Sequence, residues 1–211
     1  MKHLLIIGAR GYGREVYNLF LECSNSLEDT CCKGFLDDKN DALLGFPNYP
    51  PIISSVEDYE VETDDVFICA LGDVSYKKKY AEIILNKGGK FINLIHPTAH
   101  IGINTKLGVG CIVGYNANIS CDITIDDFVT IQPFAALGHD VKVGKWCHLN
   151  AFCFLGGKVE VGEQSTIHTG AIIVPSKKVA NNSIVGAGAV VIRNVKSGKT
   201  VFGNPAECIE F

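Results

Sequence analysis

The sequence predicts a small parallel α/β domain followed by a β-solenoid built from six-residue repeats. From Ile95 to Val191 every sixth residue is aliphatic, and no insertion breaks the phase. Neither a helix nor a flat sheet needs a period of six, whereas a chain that turns a corner every six residues does. In the residues before the repeat, short apolar runs alternate with helical patterns, and this alternation is typical of a parallel sheet covered by helices.

The first 94 residues contain four predicted strands and two predicted helices. Ligands of parallel α/β sheets bind beyond the carboxyl ends of the strands, so the residues that follow each strand are candidates for a binding site. The predicted strands cover residues 3–7, 33–38, 65–70 and 90–95, and the predicted helices run from residue 14 to about 23 and from residue 76 to about 87.

Glycines and carboxylates follow the first three of these strands. A glycine-rich loop that opens a helix offers backbone N–H groups to a phosphate, and an acidic residue after the second strand accepts hydrogen bonds from ribose hydroxyls. The spacing G-x-x-G-x-G differs from the dinucleotide fingerprint G-x-G-x-x-G, so a tight turn without a ligand is the open alternative. The candidate substrate-binding residues are Gly8, Arg10, Gly11, Gly13, Asp37, Asp38 and Gly72.

The residues around each aliphatic position fit a solenoid. A mostly small residue lies two positions earlier, which places one large and one small side chain on the inner face of each short strand. Glycine often follows the aliphatic residue and suits a corner. A sandwich of ordinary strands is a poor alternative because its turns would break the phase. Three cysteines occupy the small inward position, where we expect them to act as small apolar groups: Cys111, Cys147 and Cys153.

Composition and charge exclude several classes of function. The net charge of −4 offers no basic patch for nucleic acid. No secretory signal and no apolar run of membrane-spanning length occurs, so we expect a cytoplasmic protein without membrane insertion. The nine cysteines show no paired C-x-x-C spacing, which predicts reduced thiols and no metal site.

The repeat resembles the hexapeptide-repeat acyltransferases. The blocks that carry the resemblance are LGVGCI at 107–112, VGKWCH at 143–148 and VGAGAV at 185–190, and the tail GNPA at 203–206 resembles a segment that closes many of these domains. The resemblance implies a left-handed parallel β-helix with three hexads in each coil. The predicted fold class is therefore a Rossmann-like α/β domain, residues 1–94, followed by such a β-helix, residues 95–211.

The order of motifs along the chain resembles one subgroup of that family. GARGYG at 8–13 and FLDD at 35–38, followed by the β-helix, are similar to the bacterial nucleotide-sugar N-acetyltransferases of the bacillosamine and perosamine type and their sialic acid O-acetyltransferase relatives. The resemblance implies that the first domain holds a nucleotide-linked 4-amino-4,6-dideoxysugar and the second binds acetyl-CoA. It also implies a homotrimer that serves bacterial surface polysaccharide or glycan synthesis.

The same resemblance implies roles for residues of the repeat. A thioester is already activated, but a sugar amine is largely protonated in neutral water and needs a base, for which histidine is suited near pH 7. His139 occupies an outward-pointing corner position, and the resemblance implies that it is the general base and that Asp140 orients it. The implied acetyl-CoA contacts are His148, Gly157, Gly186 and Gly188.

The separation of two histidines within one coil gives an expectation about the oligomeric state. His139 and His148 are nine residues apart, which is half of an eighteen-residue coil, so they lie on different faces of one prism. If both serve one site, that site lies between two subunits, in agreement with the implied trimer. Lys177 falls at an inward position, where we expect a bulge. With Lys178 it is either a cationic partner of the CoA phosphates or part of a solvated loop.

Three functions follow as hypotheses. The first is an enzyme that transfers acetyl from acetyl-CoA to the 4-amino group of the nucleotide-linked sugar. The second is O-acetylation of a sialic acid or a similar sugar by the same fold. The third is a non-catalytic β-helix scaffold, against which the His139–Asp140 pair argues.

Overall fold

The computed structural model describes residues 1–23, 27 and 29–209. The chain divides into two compact units, one from Met1 to Leu94 and the other from Ile95 onwards. Among the described residues, no helix combines the length and the apolar character that crossing a membrane requires.

Within the described residues, the first unit has a five-stranded parallel sheet and two helices. Its strand order is β3-β2-β1-β4-β5, and the middle of the sheet is its core, since the strand residues from Leu4 to Ile7 are fully buried. Its elements in chain order are β1 (Lys2–Ile7), α1 (Gly11–Glu22), β2 (Thr30–Leu36), β3 (Ile52–Ser54), β4 (Asp65–Cys69), α2 (Val74–Asn86) and β5 (Lys90–Phe91).

Apart from shifts of two or three residues at the ends of β2 and α2, this unit differs from the sequence prediction in three places. Helix α1 begins at Gly11, so the second half of the glycine segment is the first turn of the helix. Strand β3 was not predicted, because it is only three residues long and follows two prolines. The predicted strand at 90–95 is two short strands: β5 ends at Phe91, and β6 (Leu94–Ile95) belongs to another sheet.

The second unit is a three-sided parallel β-helix made of very short strands. Each strand pairs with the strand eighteen residues further on, as in Thr130↔His148 and Ile131↔Leu149, so one coil contains three hexads as predicted. After β6 the strands are β7 (His100–Ile101), β8 (Lys106–Leu107), β9 (Ile112–Val113), β10 (Asn118–Ile119), β11 (Thr124–Ile125), β12 (Thr130–Ile131), β13 (Ala136–Leu137), β14 (Lys142–Val143), β15 (His148–Leu149), β16 (Phe154–Leu155), β17 (Glu160–Val161), β18 (Thr166–Ile167), β19 (Ile172–Ile173), β20 (Lys178–Val179), β21 (Ile184–Val185), β22 (Val190–Val191), β23 (Thr200–Phe202) and β24 (Glu207–Ile209).

The three sheets of the β-helix present different outer surfaces. We call the sheet of β7, β10, β13, β16, β19 and β22 the apolar face, and the sheet of β8, β11, β14, β17 and β20 the charged face. The remaining sheet, β6, β9, β12, β15, β18, β21, β23 and β24, is the third face. In every strand from β9 to β22 the second residue is buried in the shared core, which explains why the aliphatic period was visible in the sequence.

The corners between the strands share one backbone conformation. Every sixth residue from Asn104 to Gly188 has a left-handed φ between 53° and 73°. This conformation suits glycine and asparagine, but four of the residues that adopt it are bulky aromatics, for which it costs roughly 1–3 kcal/mol each. Stacking offsets part of this cost: Phe128 stacks on Trp146 with ring centroids 4.1 Å apart, and Phe134 stacks on Phe152 at 5.0 Å.

Small residues at the inward corner position form hydrogen bonds to the next coil. The Cys147 thiol donates to a backbone carbonyl fifteen residues further on at 3.0 Å, and the Ser165 hydroxyl does so at 3.1 Å. Cys111 makes the equivalent contact at 3.3 Å. The expectation that these thiols act as small apolar groups was incomplete, because two of them also donate hydrogen bonds to backbone carbonyls of the next coil.

The bulge expected at Lys177 does not form. Strand β20 pairs with β17 in the regular register, Glu160↔Lys178, and the left-handed corner at Ser176 is retained. The side chain of Lys177 is half-buried. A long side chain at the inward position is therefore accommodated by a regular corner.

The repeat ends after β22 with a shortened coil. Val179 bridges to Val195, which is sixteen rather than eighteen residues away. The closing segment at 203–206 turns the chain from β23 into the antiparallel strand β24. Within it, Ala206 packs against the core and donates its N–H to the carbonyl of Val190 at 2.8 Å.

Candidate active site

A cavity of about 420 Å³ lies at the carboxyl ends of β1, β2 and β4. This is where ligands of parallel α/β sheets bind. Six of the seven residues predicted for substrate binding line it, together with three tyrosines that sequence reasoning missed: Tyr12, Tyr76 and Tyr80. The lining residues used below are Gly8, Arg10, Gly13, Asp37, Asp38, Gly72, Asp73, Tyr76 and Tyr80.

The three glycines of the first loop differ in whether the fold requires a glycine at their position. Gly8 has a left-handed φ of 96°, and a Cβ there would lie 2.8 Å from the side chain of Leu71. A Cβ at Gly13 would collide with the carbonyl of Gly8, so glycine allows the close approach of helix α1 to β1. Gly11 has no atom within 4 Å of such a Cβ. Glycine is therefore required by the fold at two positions, while the space beside Gly11 is open.

The two helix N-termini at the cavity differ in their capping. Within the described residues, no side chain caps α1, whose N-cap residue is Arg10. The carboxylate of Asp73 caps α2 by accepting hydrogen bonds from Ser75 N at 2.9 Å and Tyr76 N at 3.0 Å. A helix N-terminus attracts anions, and one that already has its own carboxylate attracts them less. An anionic group of a ligand is therefore better placed at α1.

Asp37 and Asp38 have separate roles although they are adjacent. Asp37 is 6% exposed, and its carboxylate accepts hydrogen bonds from Ala9 N at 2.8 Å and Lys39 N at 2.9 Å. Asp38 is exposed and pairs with Arg10 at 2.8 Å. The hydrogen-bonded contact with Asp37, followed by the charge of Arg10, lowers the pKa of Asp38 from its ordinary value. Asp37 thus anchors the glycine loop, and Asp38 is available to a ligand.

Tyr76 and Tyr80 form a stacked pair on α2 at the edge of the cavity. Their ring centroids are 6.2 Å apart, and the rings are inclined by 18°. They are four residues apart and so lie on one face of the helix. The sequence contained this signal, two tyrosines at helical spacing after a strand, but the same spacing is common in buried helix faces.

The second cluster of predicted residues lies on the β-helix at the corner between β13 and β14. The Nδ1 atom of His139 lies 2.7 Å from Oδ2 of Asp140, and both side chains are exposed, by 59% and 50%. Because Asp140 holds Nδ1, the Nε2 atom is left to exchange a proton. A Cβ at Gly157, one coil further on, would lie 2.6 Å from that Nε2 atom. The structure thus brings His139, Asp140 and Gly157 together.

The other predicted acetyl-CoA contacts lie elsewhere on the β-helix. His148 belongs to β15 on the third face, is 2% exposed, and its Nε2 atom lies 3.1 Å from the amide nitrogen of Gln132. A Cβ at Gly186 would collide with the ring of Phe202. Gly188 has a left-handed φ of 66° and open space around it. Within one chain, therefore, these residues do not join His139.

Of the two lysines Lys177 and Lys178, the second belongs to strand β20 on the charged face. Lys178 pairs with Glu160 at 3.0 Å, and Lys142 lies 3.8 Å from the same carboxylate. The Lys178 charge is thus already balanced in part by a neighbouring strand. Its role toward the CoA phosphates stays a prediction.

One cluster of potential metal ligands occurs among the described residues, at the amino ends of β1 and β4. Ligand atoms of His3, Glu62 and Asp65 lie within 4.8 Å of one another. The ammonium of Lys33 contacts Glu62 at 2.9 Å and Asp65 at 3.2 Å. A lysine therefore supplies the positive charge between these carboxylates. The cluster also lies at the opposite ends of the strands from the cavity.

Comparisons with known proteins match both units. Residues 3–84 match the PglD N-terminal domain, and residues 92–187 match the GMPPB C-terminal domain. A curated UDP-N-acetylbacillosamine N-acetyltransferase of Bacillus subtilis is 32% identical over 117 residues, which are 54% of this chain. The aligned part spans about half, 51%, of that relative's length.

Two solved structures resemble the chain along its whole length. PerB from Caulobacter crescentus, in complex with CoA and GDP-perosamine, has a TM-score of 0.89 and 26% identity, covering 100% of this chain and 98% of PerB. The acetyltransferase domain of PglB from Neisseria gonorrhoeae has a TM-score of 0.90 and 28% identity, covering 99% of this chain and 100% of that domain.

These likenesses confirm the predicted fold class, a Rossmann-like domain followed by a left-handed β-helix. Both halves match in the order expected from the glycine loop and the hexads. In fold and in the order of its two units, the chain is therefore similar to PerB and to the acetyltransferase domain of PglB, and these likenesses fit a hexapeptide-repeat nucleotide-sugar N-acetyltransferase.

Proposed function

We propose that this protein transfers acetyl from acetyl-CoA to the 4-amino group of a nucleotide-linked 4-amino-4,6-dideoxysugar, for bacterial surface polysaccharide or glycan synthesis. The observation that carries the proposal is the exposed His139 ring, whose Nδ1 is held 2.7 Å from Asp140. The names of the relatives support it, since one acetylates UDP-N-acetylbacillosamine and another binds CoA and GDP-perosamine.

The chemistry assigned to His139 is removal of the amine proton. With Nδ1–H donated to Asp140, Nε2 presents a lone pair to the attacking amine. When Nε2 takes the proton the ring becomes positively charged, and Asp140 stabilises that charge while it fixes the ring's orientation. The amine then attacks the thioester carbon, and the thiolate of CoA leaves. A base of this kind typically contributes about 10²–10⁴-fold in rate.

The cavity of the first unit is the proposed site of the nucleotide. The N-terminus of α1, which begins at Gly11, suits the diphosphate, because the α2 terminus already carries the Asp73 carboxylate. Asp38 then accepts from donors on the ribose or base, while Asp37 keeps the loop in place. Tyr76 offers a ring face to the ligand.

The β-helix is the proposed site of acetyl-CoA. Gly157 lies beside the Nε2 atom of His139, and in this proposal its backbone borders the thioester. Gly188, on a different corner, and His148, on the third face, serve the same cofactor only if neighbouring subunits bring them to it. The acetyl-CoA proposal therefore requires an oligomer.

A homotrimer is the proposed assembly, and the outer surfaces of the β-helix support it. On the apolar face, Phe154 is 43% exposed and Ile172 is 40% exposed, in a column that continues to Val190. Next to this face, Tyr115, Phe134 and Phe152 form an exposed aromatic row. Contiguous exposed apolar residues of this extent are typical of an interface between proteins. Sedimentation of the full chain tests the assembly: a trimer is expected, and a stable, fully active monomer would contradict it.

We place the protein in the cytoplasm, with no nucleic-acid partner. Acetyl-CoA and nucleotide-linked sugars are cytoplasmic metabolites, so a cytoplasmic enzyme would meet both substrates.

An acceptor panel tests the proposed activity. The full chain is incubated with acetyl-CoA and with UDP-, GDP- or dTDP-linked 4-amino-4,6-dideoxysugars, and release of CoA thiol is followed. Free sialic acid and the 4-hydroxy counterparts of the same sugars are the matched controls. Turnover of one amino sugar is expected. Turnover of the hydroxyl compounds alone would establish O-acetylation, and no turnover by a trimer that binds neither substrate would establish a scaffold.

A further inference from the structure

The carboxylate of Asp122 lies one coil closer to the N-terminus than the His139–Asp140 pair. Strand β10 pairs with β13 in the register Ile119↔Leu137, and Asp140 N donates to the carbonyl of Cys121 at 3.2 Å. Asp122 and Asp140 adopt the same left-handed corner conformation, with φ of 59° and 60°. The two acidic side chains therefore occupy successive positions of one column, about 4.8 Å apart in the strand-pairing direction.

A hydrogen bond from the preceding coil fixes the position of the Asp122 side chain. The side-chain amide of Asn104, at the equivalent corner one coil closer to the N-terminus, donates to Asp122 Oδ1 at 2.9 Å. Two carboxylates at this spacing repel each other unless a positive charge lies near them. The pKa of Asp122 is nevertheless lowered, first by the Asn104 hydrogen bond and then by that of Cys121, with a further contribution from the charge of His139.

From this arrangement we infer that Asp122 is a second positioning residue of the reaction, whose fixed negative charge acts through His139. It stabilises the positive charge that the imidazole gains on taking the amine proton, in addition to the direct contact from Asp140. This inference rests on the proposed function of His139 as the base. It gives the reaction two carboxylates from adjacent coils, of which only one touches the ring.

The other charged groups near the ring limit the size of the effect. Lys158 follows Gly157 one coil above, at the corner position equivalent to Asp140, and its N–H donates to the His139 carbonyl at 2.8 Å. Lys142, in the next strand, is directed toward Glu160 on the charged face. The Cys121 thiol lies one coil below His139. Lys158 opposes the carboxylates, and the site is exposed, so the Asp122 charge is partly screened.

Asp122→Asn is the direct test, because asparagine keeps the size, accepts the Asn104 hydrogen bond and tolerates a left-handed φ. Glu163→Gln is the matched control: it removes one exposed negative charge at a different corner, between β17 and β18. For Asp122→Asn we expect kcat to fall about threefold and the acid limb of the kcat/KM profile to move about half a pH unit lower. Both KM values should stay unchanged, and thermal unfolding should confirm that each variant is folded.

The salt dependence of the activity distinguishes loss of the Asp122 charge from a structural effect of the substitution. At 1 M KCl the difference between wild type and Asp122→Asn should shrink, because the Debye length falls to about 3 Å. A second readout needs no substrate: an NMR titration of the His139 ring should show its midpoint at lower pH in Asp122→Asn than in Glu163→Gln. An Asp122→Asn profile and titration indistinguishable from the control would overturn the role of Asp122. An active His139→Ala enzyme would instead show that His139 is not the base. The two variants therefore distinguish failure of the Asp122 inference from failure of the proposed function of His139.

Discussion

The Gly157 Cα and the His139 imidazole are in such close contact that a methyl group on that Cα would lie 2.6 Å from Nε2. The three atoms nearest to such a methyl group all belong to the His139 ring. The φ of Gly157 is not left-handed, so the backbone does not require glycine there. The glycine at this corner is therefore explained by the position of the ring in the adjacent coil.

Gly157→Ala should displace the His139 ring and lower kcat by at least tenfold, because the base would no longer reach the amine. A double-mutant cycle tests whether contact with the His139 ring is the cause of this effect. In the His139→Ala background the crowding disappears, so Gly157→Ala should cost less stability there than in the wild type, as measured by urea unfolding. An equal cost in both backgrounds would show that the ring is not what excludes a side chain.

Gly11 and Gly13 form a matched pair that separates ligand binding from folding. Gly11→Val places a side chain in open space at the N-terminus of α1, so the fold should persist while the KM for the nucleotide sugar rises much more than that for acetyl-CoA. Gly13→Ala forces a Cβ against the carbonyl of Gly8 and should lower the melting temperature. The opposite KM pattern for Gly11→Val would mean that the two units have been assigned the wrong substrates.

Asp37 and Asp38 should respond differently to the same substitution. Asp37→Asn replaces one acceptor oxygen of a buried group that binds two backbone N–H groups, so it should destabilise the first unit by about 1–3 kcal/mol. Asp38→Asn should leave stability nearly unchanged and raise the KM for the nucleotide sugar. Thermal unfolding and steady-state kinetics on both variants check this. A stability loss at Asp38 with none at Asp37 would reverse the two roles.

Tyr59 should make the stability of the first unit depend on alkaline pH. Burial, followed by the hydrogen bond that it donates to Asp65 at 2.6 Å, raises the pKa of Tyr59 to about 12. A raised pKa means that the contribution is complete below the ordinary value of about 10 and is lost as pH rises from 10 to 12. Tyr59→Phe should lower the free energy of unfolding by about 1.5–3 kcal/mol at pH 8, and by less at pH 11.5. A cost that does not change with pH would contradict this.

The sequence was sufficient to predict the β-helix, because its inward aliphatic residues repeat without interruption and packing requires them. The sequence was less informative about the backbone conformation of the corners, which the residue types there do not indicate. Nothing in the residue types of Phe128 or Trp146 indicates a left-handed corner, which the geometry of the coil imposes on every sixth residue. The regular corner at Lys177 was missed for the same reason.

The candidate site was predictable in its members and less so in their roles. Glycine and acidic residues at strand ends predicted the cavity, but only tertiary contacts show that Asp37 holds the loop while Asp38 faces outward. Tyr76 and Tyr80 were missed, since helical spacing of tyrosines does not distinguish a core face from a cavity wall. The role of His148 was implied by the family resemblance, which includes its spacing from His139, and the resemblance does not reveal its burial on the third face.

Removal of the sugar-amine proton by His139 is tested by the kcat of His139→Ala on its amino-sugar substrate. We expect a fall of about 10²–10⁴-fold, with little change in acetyl-CoA affinity and partial recovery at high pH, where more of the amine is already unprotonated. Asp140→Asn should cost less, because the carboxylate orients the ring and does not itself take the proton. A His139→Ala enzyme with near-normal kcat would show that His139 is not the base, and the reaction would then depend on positioning of the amine alone.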